Sequence, residues 1–350
     1  MTVAAPDSAA EVGVGPTTGL IGPALRVLGL GTVAIALVFI FNNYLIHWQD
    51  WPGLPKLFAQ MGLFGLGPLR KPLDGGALTL GLVQLLTYML PVIAIAAIVW
   101  RSRSQALIVD ADRLKALSAY IVRAGFWAVL LVGLADAVIS FLRIEGLLDD
   151  VVGEAMAENL GRSKFRGQSV HYPLILFSFI IAFFTRTLGF PWLALLIVIA
   201  ELQIVIARFV FSYEQAFMAD LVRFWYGSMF LFASAYTLIT EGHVRVDILY
   251  AGFSERAKAW SNFIGSLILG IPLCWIILTR GMWSKTNVVN GPMLNYEVTQ
   301  SGFGMYVKYF MAGFLVIYAL TMLIQFVSYC LSSAAVLLGQ TSPASDTEKA

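Results

Sequence analysis

Apolar residues run along most of this chain in blocks of about twenty, the length an α-helix needs to cross a bilayer core. Short polar or Gly/Pro-rich stretches separate them. Eight blocks are readable: Arg26 to Ile46, Ala77 to Trp100, Ser118 to Leu142, Tyr172 to Thr187, Pro191 to Phe211, Phe217 to Thr240, Phe263 to Trp283 and Met305 to Leu331. The fourth is short. Gly189 and Pro191 divide it from the fifth, since neither residue favours helix continuation. The expected fold is all-α, a polytopic integral membrane protein with about eight transmembrane helices. Residues 1–25 read as a flexible tail without the basic start and apolar core of a cleaved signal. Residues 26–188 read as about four spans, 189–335 as a four-helix unit and 336–350 as a polar tail.

Two connections are long. His47 to Gly76 is rich in Pro and Gly, with Trp48 and Trp51 at the level where tryptophans meet lipid headgroups. Within it, Leu54 to Leu66 has room for a short interfacial helix. Arg143 to Val170 is polar and reads as a small solvated helical loop. Basic residues of short loops favour the cytoplasm. Loop 101–117 holds Arg101, Arg103, Arg113 and Lys115, loop 241–262 holds Arg245, Arg256 and Lys258, and loop 284–304 holds only Lys285. This pattern predicts both termini in the cytoplasm. Loop 143–170, with four basic residues and an acidic excess, then faces outside against the rule.

Composition supports a bilayer. Of the 350 residues 59% are hydrophobic and 13% charged, against about 25% charged in a water-soluble domain. The mean hydropathy is +0.78. A net charge of +2 gives no reason to expect nucleic acid. Cys274 and Cys330 lie inside apolar runs and are expected as reduced packing residues. His47, His171 and His243 have no catalytic or metal-ligand spacing, and no nucleotide-binding glycine motif is present. No enzyme activity, metal or cofactor is expected.

Ionisable residues within spans are costly and mark contacts or function. Asp136, Glu201, Arg208 and Asp220 are of this kind. Glu201 and Arg208, seven apart, share a helix face and are placed to clamp another helix. Asp136 has Arg123 or Arg143 as candidate partners, each toward a helix end. Ser261, Gly265, Ser266 and Gly270 give the small-residue spacing that lets helices approach closely. Pro272 is expected to kink its span.

The most informative stretch is Ala235 to Trp260. A polar corner, Glu241, Gly242, His243, Arg245 and Asp247, reads as a cytoplasmic subunit-contact motif. Apolar residues then recur at helical spacing, including Leu249, Tyr250, Phe253 and Trp260, as in a helix lying in the interface plane. Gly252 and Ser254 are expected to break it, with Ser254 as an N-cap for the next helix.

These residues carry a resemblance. Arg208-Phe209-Val210-Phe211, Phe217 to Leu221, Gly242-His243-Val244-Arg245-Val246-Asp247, Ser254 to Trp260 and Asn295 to Gly302 succeed one another as in the DctQ-like small membrane subunit of TRAP (tripartite ATP-independent periplasmic) transporters. Phe217 and Asp220 stand where that family has Trp and Glu. The resemblance covers about residues 190 to 335 and makes the last four spans the DctQ-like unit. It implies a bacterial inner-membrane location, a large (DctM-like) permease subunit, a periplasmic solute-binding protein and surrounding membrane lipids. It further implies ion-gradient-driven uptake of an organic acid or similar small solute. On this reading the chain braces the large subunit. The competing reading is a stand-alone channel or carrier using Asp136, Glu201 and Arg208.

Overall fold

A computed structural model of the chain describes residues 19–186, 190–239, 250 and 252–340. Every regular element among them is helical. In chain order these are α1 (Ile21–Trp48), α2 (Leu54–Gln60), α3 (Gly75–Arg101), α4 (Leu107–Ile144), α5 (Leu148–Val152) and α6 (Glu154–Leu160). Then come α7 (Ser163–Phe184), α8 (Phe190–Phe211), α9 (Ala216–Ile239), α10 (Glu255–Met282), α11 (Asn290–Asn295) and α12 (Lys308–Leu337). Seven described helices, all the long ones except α9, are long and apolar enough to cross a membrane. α9 has 24 residues but carries Asp220 and Arg223. Together these eight are the eight blocks read from the sequence.

Several boundaries move. α7 begins at Ser163, nine residues before the expected Tyr172, so the fourth span has 22 residues and is no longer short. The polar loop is correspondingly shorter. It contains α5 and α6, and its last residues, 163–170, form the start of α7. α10 begins at Glu255 instead of Phe263, capped by Ser254, whose side chain accepts from the Ala257 amide at 3.3 Å. Trp260 therefore belongs to this long helix. Tyr250 and Phe253 form a turn before it, in which the Phe253 amide donates to the Tyr250 carbonyl. The residues of the expected interfacial helix before Tyr250 lie outside the described residues.

α7 and α10 share a local device. Each contains one π-helical turn, Gly167–His171 and Ser266–Gly270, in which an amide bonds five residues back: Tyr172 to Gly167 and Ile271 to Ser266. At the second position after each turn stands a proline, Pro173 or Pro272. Proline has no N–H to donate, and its ring crowds the carbonyl four residues earlier. Widening the turn relieves that crowding and re-routes the bonds. The glycines in these turns allow close approach. A Cβ on Gly167 would lie 2.6 Å from the Tyr296 ring, and one on Gly270 would lie 2.5 Å from the Phe326 ring. Gly265, also read as a packing residue, has open space beside it.

α4 is the axis of the bundle. It packs on α7, α9 and α12. One core joins Phe126, Val129 and Val132 of α4 to Phe224 and Trp225 of α9 and Phe314 of α12. The other joins Val33 of α1 and Leu114 of α4 to Cys274, Leu278, Leu323 and Ile324. Both cysteines are buried and free. Helices from both sides of residue 188 therefore share both cores. In lipid, apolar side chains gain little by leaving one hydrocarbon for another. Close packing and interhelical hydrogen bonds hold the helices instead. Gly133 shows the closeness: a Cβ there would lie 2.5 Å from the Trp225 ring nitrogen.

α4 is also long. Its 38 residues span about 57 Å at 1.5 Å per residue, against about 30 Å of hydrocarbon. Each end is tied down by a buried ion pair. Near its start, Asp110 accepts from Arg26 of α1 at 2.5 Å, both side chains 3% exposed. Near its end, Asp136 pairs with Arg166 of α7.

Candidate functional site: a buried polar knot

Two turns before α4 ends, Asp136 is fully enclosed. A lone carboxylate there would be expensive, and all of its neighbours are arranged to hold it. One oxygen accepts from Arg166 Nη1 at 2.9 Å and from His171 Nε2 at 3.1 Å, both on α7. The other accepts from the Tyr306 backbone amide at 2.7 Å. Arg166 is itself fully enclosed and also donates to the Leu160 carbonyl and the Ser140 hydroxyl. His171 stacks on Tyr309 and places Nδ1 2.8 Å from its hydroxyl. His171 thereby bridges the Asp136 carboxylate and the Tyr309 hydroxyl through its two ring nitrogens.

A second layer extends the knot. The guanidinium groups of Arg166 and Arg143 lie over the Tyr306 ring, 4.1 and 4.5 Å from its centroid. Arg166 Nη2 and Arg143 Nε are buried without hydrogen-bond partners among the described residues. The electron-rich ring face compensates part of their charge. Arg143 and Ser140 both donate to the Gly304 carbonyl. Asp220 of α9, 5% exposed, accepts from the Met305 amide at 3.1 Å. α4, α7 and α9 thus converge on residues 304–309, which lead into α12. The Ser140 and Tyr309 hydroxyls of the knot are buried and already hydrogen-bonded, and among the described residues no group of His, Cys, Asp and Glu could hold a metal. The chemistry available is structural: it fixes the chain between α11 and α12.

The other expected site residues fare differently. Asp136 pairs with Arg166 and His171 rather than with Arg123 or Arg143, because the start of α7 folds back onto α4. Glu201 and Arg208 do not pair with each other. Arg208 pairs with Glu214 beyond the helix end at 3.5 Å, both exposed. Glu201 is exposed near the midpoint of α8 and has no ion pair or hydrogen bond among the described residues. Asp136 is thus interior while Glu201 and Arg208 face outward, so the three line no common path. Glu241, Gly242, His243, Arg245, Asp247 and Leu249 lie outside the described residues. Arg166, His171, Tyr306 and Tyr309 were not among the expected site residues. Their available signal was an arginine and a histidine next to a span that also needed a partner for Asp136.

Residues 194–334 match the family model of the DctQ component of tripartite ATP-independent periplasmic transporters. Neither a curated protein nor a solved structure matches the chain. The match begins within α8 and leaves α1 to α7 uncovered.

Proposed function

We propose that this chain, whose residues 194–334 match the family model of the DctQ component of tripartite ATP-independent periplasmic transporters, is such a component and braces the large permease subunit during ion-gradient-driven uptake. It is a transport component and a multi-pass inner-membrane protein. The solute in this proposal is an organic acid or similar small molecule brought by a periplasmic binding protein. Both termini are cytoplasmic, and the connection 283–307 faces the periplasm. The family match carries the reading.

The packing supports a scaffold role. Transporters that rock one bundle against another need one part to stay fixed, and here the knot ties α4, α7, α9 and α12 into one block. The outer connection is equally braced. Asn290 donates to the Met282 and Ser284 carbonyls, and Asp136 and Asp220 hold its last amides. That gives a binding protein a firm surface to meet.

Glu201 supports a partner on α8. A carboxylate facing outward at the middle of an apolar span cannot reach either interface, and lipid offers it no hydrogen bond. A transmembrane helix of the large subunit bearing a basic or donor side chain would satisfy it. Arg245 and Asp247 supply a second contact in this proposal.

The test is co-purification with the large permease subunit, followed by solute uptake in liposomes. Glu201→Leu should leave this chain in the membrane yet lower recovery of the complex, as should Arg245→Ala with Asp247→Ala. Unchanged complex and uptake in all variants would remove the contact roles. Solute flux from this chain alone would overturn the bracing role itself.

A further inference from the structure

A cavity of about 440 Å³ lies between the ends of α1, α3 and α10, and α2 closes it from the side. It is remote from the knot and takes no part in the function proposed above. Its size is that of a ligand site. One wall is a satisfied chain of amides. Gln84 accepts from the Gly53 amide at 2.9 Å and donates to Asn42, and Asn42 donates to Thr87. Gly53 makes the corner possible, with φ at +80°. The rest is mostly apolar, including Phe39, Ile46, Leu54 and Trp283.

Three polar groups on this cavity lack partners among the described residues. Asn43 is 4% exposed; its nitrogen is used by the Met282 carbonyl, but its oxygen has no donor. Buried acceptors in that condition are uncommon and call for an explanation. The Tyr88 hydroxyl and the Lys56 ammonium also line the space without a hydrogen bond or ion pair. The cavity therefore offers the Lys56 ammonium, the Tyr88 hydroxyl and the His47 ring against an apolar wall, with the Asn43 acceptor sealed behind its surface.

We propose that this cavity binds a membrane phospholipid through its phosphodiester and the adjoining acyl chain. The phosphodiester sits by Lys56 and Tyr88, with the His47 ring beside them, and the glycerol and acyl portion lie on the apolar wall. Three observations favour a lipid over a free solute. The site lies at the bundle end where Trp48, Trp51 and Trp283 cluster, as at a headgroup layer. Its wall suits hydrocarbon. No arginine lines it, although paired N–H groups are the usual grip on a carboxylate solute.

The test is lipid retention by the full chain, purified in mild detergent and washed. Native mass spectrometry would count bound lipid, with phosphatidylglycerol, glycerol 3-phosphate and succinate added in separate arms. Wild type should retain phosphatidylglycerol. Leu54→Trp, which fills the space, should abolish retention, and Lys56→Glu at the exposed rim should weaken it about tenfold, the loss expected from one charge-assisted contact. Lys56→Glu guards against misfolding in the bulkier variant. Equal retention in all three proteins overturns the proposal. So does saturable succinate or glycerol 3-phosphate binding that Leu54→Trp removes.

Discussion

Asp136 and Asp220 stand on different helices and hold neighbouring amides. Asp136 accepts from the Tyr306 N–H at 2.7 Å and Asp220 from the Met305 N–H at 3.1 Å. Two residues of backbone are thus gripped from two directions immediately before α12 begins. The grip depends on Arg166, because a buried carboxylate is tolerable only with its counter-charge in place.

Removing one side of that pair should be costly. Asp136→Ala or Arg166→Met leaves an uncompensated buried charge, worth about 3–5 kcal/mol of stability. The combined Asp136→Asn, Arg166→Met variant removes both charges and keeps an acceptor for Tyr306. It should recover much of the loss. Thermal unfolding in detergent, arranged as a double-mutant cycle, measures this. Additive losses would show that the two residues act separately.

The wide-turn glycines make a sharper contrast. Gly167→Ala and Gly270→Ala press a methyl group into Tyr296 and Phe326, and overpacking of this kind costs about 1–3 kcal/mol. Gly265→Ala meets nothing within 4 Å and should gain helix propensity, up to about 1 kcal/mol. The same melting assay should order the three variants with Gly265→Ala on top. A different order would mean that the two rings move aside freely.

Tyr213, in the turn between α8 and α9, donates to Glu145 at 2.6 Å. Burial, then the bond to Glu145, pushes its phenol up to about 12. The folded state therefore favours the neutral phenol. Its stabilising contribution is complete below the ordinary phenol value near 10 and is lost as pH rises toward 12. Absorbance titration at alkaline pH, wild type minus Tyr213→Phe, should show this residue ionising near 12. Ionisation near 10 would mean the turn is open to water.

The spans were legible because crossing a bilayer demands long apolar blocks, and the Ser254 cap because a cap is a local device. The knot was half legible. Asp136 stood out as a carboxylate in an apolar run, but its partners did not. Arg166 sits in a segment whose polarity reads as loop, and His171 lies five residues further on. On an α-helix five residues are separated by roughly 140°, so the two would not face one carboxylate together. The spacing rule that paired Glu201 with Arg208 failed for a related reason: Glu214, across the turn, competes for the arginine. Neither outcome is visible without knowing how the chain folds back.

The π-helical turn in α7 amounts to a change of phase. One extra residue per turn rotates the first half of the helix by about 100° relative to the second. The second half of α7 can therefore keep Leu176, Phe179, Ile180 and Phe183 outward while the first half points Arg166 at Asp136. Deleting a single residue between Gly167 and His171 would leave the span nearly as long and as apolar as before. It would also swing the arginine off its carboxylate. In this chain the length of a helix, counted in single residues, is part of the code for its ion pair.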